Sequence, residues 1–162
     1  MDKLAPMRII IATDGSTFSA AAAEECARLF ATTAGHTFTI VSVYEPPIPM
    51  PAEPFAISTV QYQELTAIAR EQAAAAAQDA IELLQDRMGD PSMEILTVVE
   101  LGRPAEIIIE TANKWKADLI VVGSHGRSFW GRIALGSVSD AVTHHAPCSV
   151  LIVRKRNTSD NF

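Results

Sequence analysis

Apolar runs and helix-spaced apolar positions alternate from one end of the chain to the other, the pattern of an α/β domain built on a mostly parallel sheet. Continuous β-branched runs at 7–13 (MRIIIAT), 118–123 (DLIVVG) and 148–153 (CSVLIV) predict strands buried on both faces. FTIVSVY (38–44) and MEILTVVEL (93–101) complete a set of five. Between them the period changes. Residues 17–34 set Ala20, Ala23, Ala27, Phe30 and Ala34 at spacings of 3, 4, 3 and 4, with Ser16 as N-cap and Gly35 just past the end. Residues 60–88 predict the longest helix, striped by Leu65, Ile68, Ala69, Ala73, Ala76, Ala80, Leu83 and Leu84. Its alanine run at 73–77 reads as packing, because small side chains let a helix lie close to a sheet. A third helix opens at RPAEIII with Pro104 near N1, and Ala105, Ile108, Ala112 and Trp115 share a face. A fourth starts near Gly136 and ends before Pro147. Each crossover is long enough for a right-handed βαβ connection.

Two stretches escape the pattern. EPPIPMPAEPFAIST (45–59) holds five of the nine prolines and predicts an extended loop, either a lid over a site or a surface excursion. The tail from Arg154 is polar.

Composition narrows the picture. A chain of 162 residues with 48% hydrophobic positions predicts one domain, 1–162, with its core at about 7–153 and the polar tail at 154–162. Cys26 and Cys148 form neither a CxxC pair nor a Cys/His cluster, so they read as small core residues in a reducing compartment. The apolar run near the start is too short for a secretory signal, and no stretch approaches the length of a membrane span, so the expectation is a cytoplasmic protein without membrane contact. A net charge of -6 disfavours nucleic acid as a partner. It leaves room for a small anion held by backbone dipoles.

Candidate chemistry concentrates in VVGSHGRSFWGRIALGSVSDAV (121–142), which carries four of the eight glycines. Gly123 closes a strand, Gly126 follows, and Gly136 precedes Ser137, Val138 and Ser139 at a helix start. Unpaired N–H groups there, with the helix dipole behind them, favour an anion, and missing side chains let phosphate oxygens approach. Ser137 and Ser139 offer hydroxyl donors, and Arg127 and Arg132 offer charge at the rim. Hydrogen bonds to a charged acceptor contribute about 1.5–3 kcal/mol each. Micromolar binding needs about 8 kcal/mol, so four or five donors suffice where a dipole alone does not. Neither GxxxxGK[ST] nor GxGxxG is present. The alternative is that the glycines serve turns and a tight helix–sheet contact. A facing loop, TDGS (13–16), follows the first strand.

GSHGRSFWGRIALGS matches G-x2-G-x9-G-[ST] on Gly123, Gly126, Gly136 and Ser137, and so resembles the nucleotide-binding signature of the universal stress proteins. IIIATDGS, SVYEP, ADLIVVGSHGR and HAPCSVLIV are similar to other segments of that family, and the likeness spans roughly residues 7–153. The resemblance implies a Rossmann-like or flavodoxin-like three-layer sandwich with strand order 3-2-1-4-5. It also implies a cytoplasmic homodimer paired through the last strand (148–153) and a stress-response role with ATP as ligand. By position, Ala12, Thr13, Asp14 and Val43 would meet the adenine or ribose. Gly123, Ser124, His125, Gly126, Arg127, Gly136, Ser137, Val138 and Ser139 would surround the ribose and phosphates.

Several residues keep more than one reading. Asp14 suits a ribose hydroxyl, a Mg2+ or Mn2+ ion carried with the phosphates, or an Asx turn before the first helix. His125 suits the rim or a structural role better than catalysis, because the other parts of a phosphoryl-transfer site are missing. His144 and His145 lie near a helix C-terminus, which favours positive charge, and point in different directions. Phe129 and Trp130 suit either stacking on adenine or anchoring the loop. The resulting expectation is a nucleotide-binding module without a catalytic residue. A slow ATPase or phosphotransferase, or a nucleotide-free dimeric scaffold, stand as the alternatives.

Overall fold

In the computed structural model, which describes residues 5–32, 34–46, 58–90, 92–127 and 135–155, five strands form one parallel sheet. They are β1 (Arg8–Thr13), β2 (Thr37–Tyr44), β3 (Ile95–Leu101), β4 (Leu119–Gly123) and β5 (Ser149–Val153). Their order is β3-β2-β1-β4-β5. Four helices connect them: α1 (Thr17–Phe30), α2 (Thr59–Met88), α3 (Pro104–Trp115) and α4 (Ser137–His145).

Side chains alternate across the sheet and feed two cores. Ile9, Ile11, Phe38, Ile40 and Val121 meet α1 and α2 on one face. Ile10, Val41, Ile120 and Val122 meet α3 and α4 on the other. Both faces of β1 and β4 are therefore covered, which is why their sequences read as unbroken apolar runs.

β5 departs from that expectation. It is an edge strand, and Val150, Leu151 and Ile152 are only half-buried. Cys148, just before it, is half-buried too, whereas Cys26 is sealed inside α1's contact with the sheet. Burial pushes the Cys26 thiol up to about 12.

The helix boundaries follow local chemistry. Ser16 caps α1 by accepting from the Ser19 N–H at 3.2 Å, as its sequence position predicts. α1 ends at Phe30, earlier than the predicted residue 34, and its buried stripe is Ser19, Ala22, Ala23, Cys26, Ala27 and Phe30. Ala20 and Ala34 are outside it. α2 opens with a capping box between Ser58 and Gln61 and closes at Gly89 in the left-handed region, φ 68°. The 93–101 strand begins two residues later than predicted, at Ile95.

α2 also corrects the predicted stripe. Thirty residues span about 45 Å of helix, while the eight-residue β2 spans about 26 Å. Ala73, Ala76, Ala77, Ala80 and Leu84 lie on the sheet and are buried. Leu65 and Ile68 are 43% and 51% exposed, because the first turns of α2 overrun the sheet on the side where the strands end. The proline stretch falls mostly outside the described residues, as do the tail beyond Lys155 and the segment 128–134 with Phe129, Trp130, Gly131 and Arg132.

Candidate functional site

β1 pairs with β2 on one side and β4 on the other, so the chain leaves the sheet in opposite directions from neighbouring strands. A crevice at their carboxyl ends is the usual place for a ligand in an open α/β sheet. The register sets Ile11 beside Val121 and Thr13 beside Ser42. Ala12 and Thr13 therefore finish β1 with Asp14 just after it, Val43 sits one residue further along β2, and Gly123–Arg127 leave β4 across the crevice.

Asp14 joins the two loops. Its Oδ1 accepts from the Ser16 N–H at 2.9 Å, an Asx turn leading into α1. Its Oδ2 accepts from the Arg127 N–H at 3.0 Å, across 113 residues of sequence. Burial acts to raise the Asp14 pKa, but the Ser16 hydroxyl and N–H, the Ser19 hydroxyl and the Arg127 N–H outweigh it. The carboxyl is held below the usual carboxylate range. The Thr13 hydroxyl lies deeper, donating to Ser19 Oγ at 3.2 Å and accepting from the Gly15 N–H at 3.3 Å.

The three described motif glycines supply space, and none of them has a positive φ. A Cβ on Gly123 would stand 2.7 Å from the backbone C and O of Phe18, so this glycine lets α1 settle on the end of β4. On Gly126 it would stand 2.8 Å from Asp14 Oδ2. On Gly136 it would stand 3.2 Å from His125 Cα and 3.4 Å from Ser124 O. The protein's own chain is thus the nearest beneficiary of each missing side chain.

Ser124 is the joint of the glycine loop. Its N–H donates to Val153 O at 2.8 Å, tying the loop to the end of β5. Its carbonyl accepts from the Gly136 N–H at 2.8 Å and from Ser139 Oγ at 3.0 Å. Its hydroxyl lies 3.0 Å from His125 Nδ1. The His125 ring in turn packs on Phe18, with centroids 5.2 Å apart.

These bonds redistribute the donors that the sequence suggests for an anion. The Gly136 and Arg127 amides are engaged within the protein, and the buried Ser139 hydroxyl faces inward. Among the described residues, the first turn of α4 has Gly136 as N-cap and no side-chain cap. Ser137 is exposed there and Val138 half-buried. Such a helix start attracts anions through its unpaired N–H groups.

Three contributors escaped the sequence reading. Gly15, with φ 75°, passes close to the Arg127 guanidinium and Ala76 of α2, and its place after an aspartate was the available signal. Phe18 packs under both Gly123 and His125, and nothing in its helical context marks it. Ser42 Oγ is buried with no hydrogen-bond partner among the described residues. No group of His, Cys, Asp or Glu among the described residues is arranged to hold a metal ion. None of the described helices is long and apolar enough to cross a membrane.

The sequence pattern of the universal stress protein family matches residues 6–154. A universal stress protein of Thermus aquaticus is 36% identical over 146 residues, covering 90% of this chain and 97% of its own. One from Methanocaldococcus jannaschii is 32% identical over 149 residues, covering 91% and 82%. Among solved structures, UspA of Lactobacillus plantarum superposes with a TM-score of 0.73 at 25% identity, covering 93% and 99%. Two others share the fold and were solved with nucleotides. A universal stress protein in complex with cAMP has a TM-score of 0.59 at 24% identity, covering 91% and 96%. An Arabidopsis thaliana member with AMP bound has a TM-score of 0.65 at 17% identity, covering 96% and 97%.

Proposed function

Since the chain belongs to the universal stress protein family, we propose that it is a nucleotide-binding regulatory module whose ligand is ATP or a related adenine nucleotide. The observation that carries this reading is the uncapped start of α4 at the crevice where β1 and β4 end. In this reading Ala12, Thr13, Asp14 and Val43 border the base and ribose. Gly123, Ser124, His125, Gly126 and Arg127 shape the floor, and Gly136 caps the helix start at which Ser137, Val138 and Ser139 present amides to the phosphates. The cAMP and AMP complexes of proteins with the same fold support an adenine nucleotide.

Both Asp14 oxygens accept amide N–H groups, so the carboxylate fastens the two loops together in this geometry. No group of three or more His, Cys, Asp or Glu stands together among the described residues, so a Mg2+ or Mn2+ ion would be carried chiefly by the phosphates. The same commitment of Asp14 to backbone amides favours binding over a role for this carboxylate in orienting an attacking water.

Self-association through β5 belongs to the proposal. That strand is an unpaired edge with Val150, Leu151 and Ile152 half-exposed, features that a second copy would cover. A cytoplasmic, stress-responsive role is proposed on family grounds.

Calorimetry of the full chain with ATP, AMP and cAMP tests the reading. Binding in the micromolar range is expected, and silence at millimolar ATP would end it. Gly136→Val should abolish binding, since the added side chain meets His125 Cα and Ser124 O and intrudes on the start of α4.

A further inference from the structure

β3 is the sheet's other edge strand, with no strand on its outer side among the described residues. It pairs with β2 along its whole length, from Ile95 opposite Phe38 to Leu101 opposite Tyr44, so all seven residues are held in strand geometry. The alternate N–H and C=O groups that β2 does not use face outwards, a template for one more strand. Leu96 and Leu101 are 38% and 45% exposed on this edge. Between β3 and α3 runs a groove of about 450 Å3, lined by Val98, Glu100, Glu110, Thr111, Lys114 and Trp115. Val98 packs against the core beneath α3, so alternation turns Leu96 and Glu100 to that same face. The groove thus combines apolar surface from Val98 and Trp115 with two carboxylates against one ammonium. Glu100, Glu110 and Lys114 are exposed and form no ion pair among the described residues. Glu94, just before β3, adds another exposed carboxylate.

We propose that this edge takes an extended, basic segment of a partner protein as a further strand, with an arginine or lysine side chain of that segment laid in the groove. Main-chain pairing supplies the affinity and the groove supplies the selectivity, as in other cases of strand addition. Arginine suits the groove best, because its planar guanidinium pairs with carboxylates and stacks on an aromatic side chain. A second copy of this chain has the wrong sign, since it brings the same carboxylates and a net charge of -6. The groove shares no residue with the crevice, so the inference is independent of the nucleotide reading.

The test titrates short peptides of alternating valine and arginine, or valine and glutamate, into the isotope-labelled full chain, followed by amide NMR. The arginine peptide should shift the signals of Ile95–Leu101 and of the Trp115 indole, and slow exchange of the outward amides. It should bind about tenfold more tightly than the glutamate peptide, the scale of a few exposed charge contacts. An arginine peptide N-methylated along its backbone cannot complete the ladder and should lose binding. Reversing the groove's charge with Glu100→Lys and Glu110→Lys should turn the preference towards the glutamate peptide, and the fold should tolerate both changes because both positions are exposed. No shift on β3 at millimolar peptide, or equal affinity for the two peptides, overturns the proposal. Protection of the β3 amides that grows with protein concentration in the absence of peptide assigns the edge to a second copy, and overturns it as well.

Discussion

Two aspartates fasten the same pair of strands at opposite ends, and they do so differently. At the amino ends, Asp118 takes the Arg8 N–H at 2.8 Å and its guanidinium Nε and Nη2 at 3.1 and 3.2 Å, in an exposed ion pair. At the carboxyl ends, half-buried Asp14 takes the backbone N–H groups of Ser16 and Arg127 and no cation. Both carboxyls are held below the usual range. For Asp118 the leading cause is the Arg8 guanidinium; for Asp14 burial opposes the shift, and hydroxyl and amide donors outweigh it. The exposed end is a fastening and little more. The buried end spares its cation, since Arg127 contributes an amide to the tie while its guanidinium extends past Gly15 towards α2.

The largest effect on this contrast should come from Gly123→Val. Its side chain meets the Phe18 backbone at 2.7 Å, where no rotamer change relieves the contact. Lifting α1 from β4 should cost about 3 kcal/mol in urea unfolding, the upper end of ordinary overpacking. Asp14→Ala should follow at roughly 2 kcal/mol, because two amides lose a charged, half-buried acceptor. If that variant were as stable as the parent, the carboxyl-end tie would be ornamental and the comparison would fail.

Acid should then separate the two ends. A carboxyl with a depressed folded pKa contributes stability above its unfolded value of about 3.9, and that contribution is lost as pH falls through the folded value. The unfolding midpoint should therefore stay level from neutral pH to about pH 5 and decline below about pH 4. Asp14→Asn should flatten part of that decline, read by thermal melts across the acid range. The smallest effect belongs to Asp118→Ala. Exposed ion pairs are weak and salt-screened, so its melting temperature should drop less than that of Asp14→Ala, and the difference from the parent should shrink in high salt.

Much of the fold was legible. β1 and β4 announce themselves because burial on both faces demands continuous apolar side chains, and Ser16 and Pro104 mark helix starts by local chemistry. The strand order came from the family resemblance, since periodicity is silent about which strands touch. α2 shows what a periodic stripe leaves out: Leu65 and Ile68 carry the right spacing but lie beyond the sheet they would pack on. The loops of the site were legible through their glycines, though the immediate reason was not. Gly123 answers to Phe18 and Gly126 to Asp14, contacts set by tertiary placement and invisible in spacing. The Ser139 hydroxyl likewise looked available until its partner, the Ser124 carbonyl, was placed beside it.

That Ser124 also donates its N–H to Val153 gives the sheet's outer border and the crevice a common residue. Two backbone hydrogen bonds, one on either side of this residue, therefore join the last strand to the start of α4 with no side chain between them. A partner on the border and a ligand in the crevice would thus share one backbone anchor.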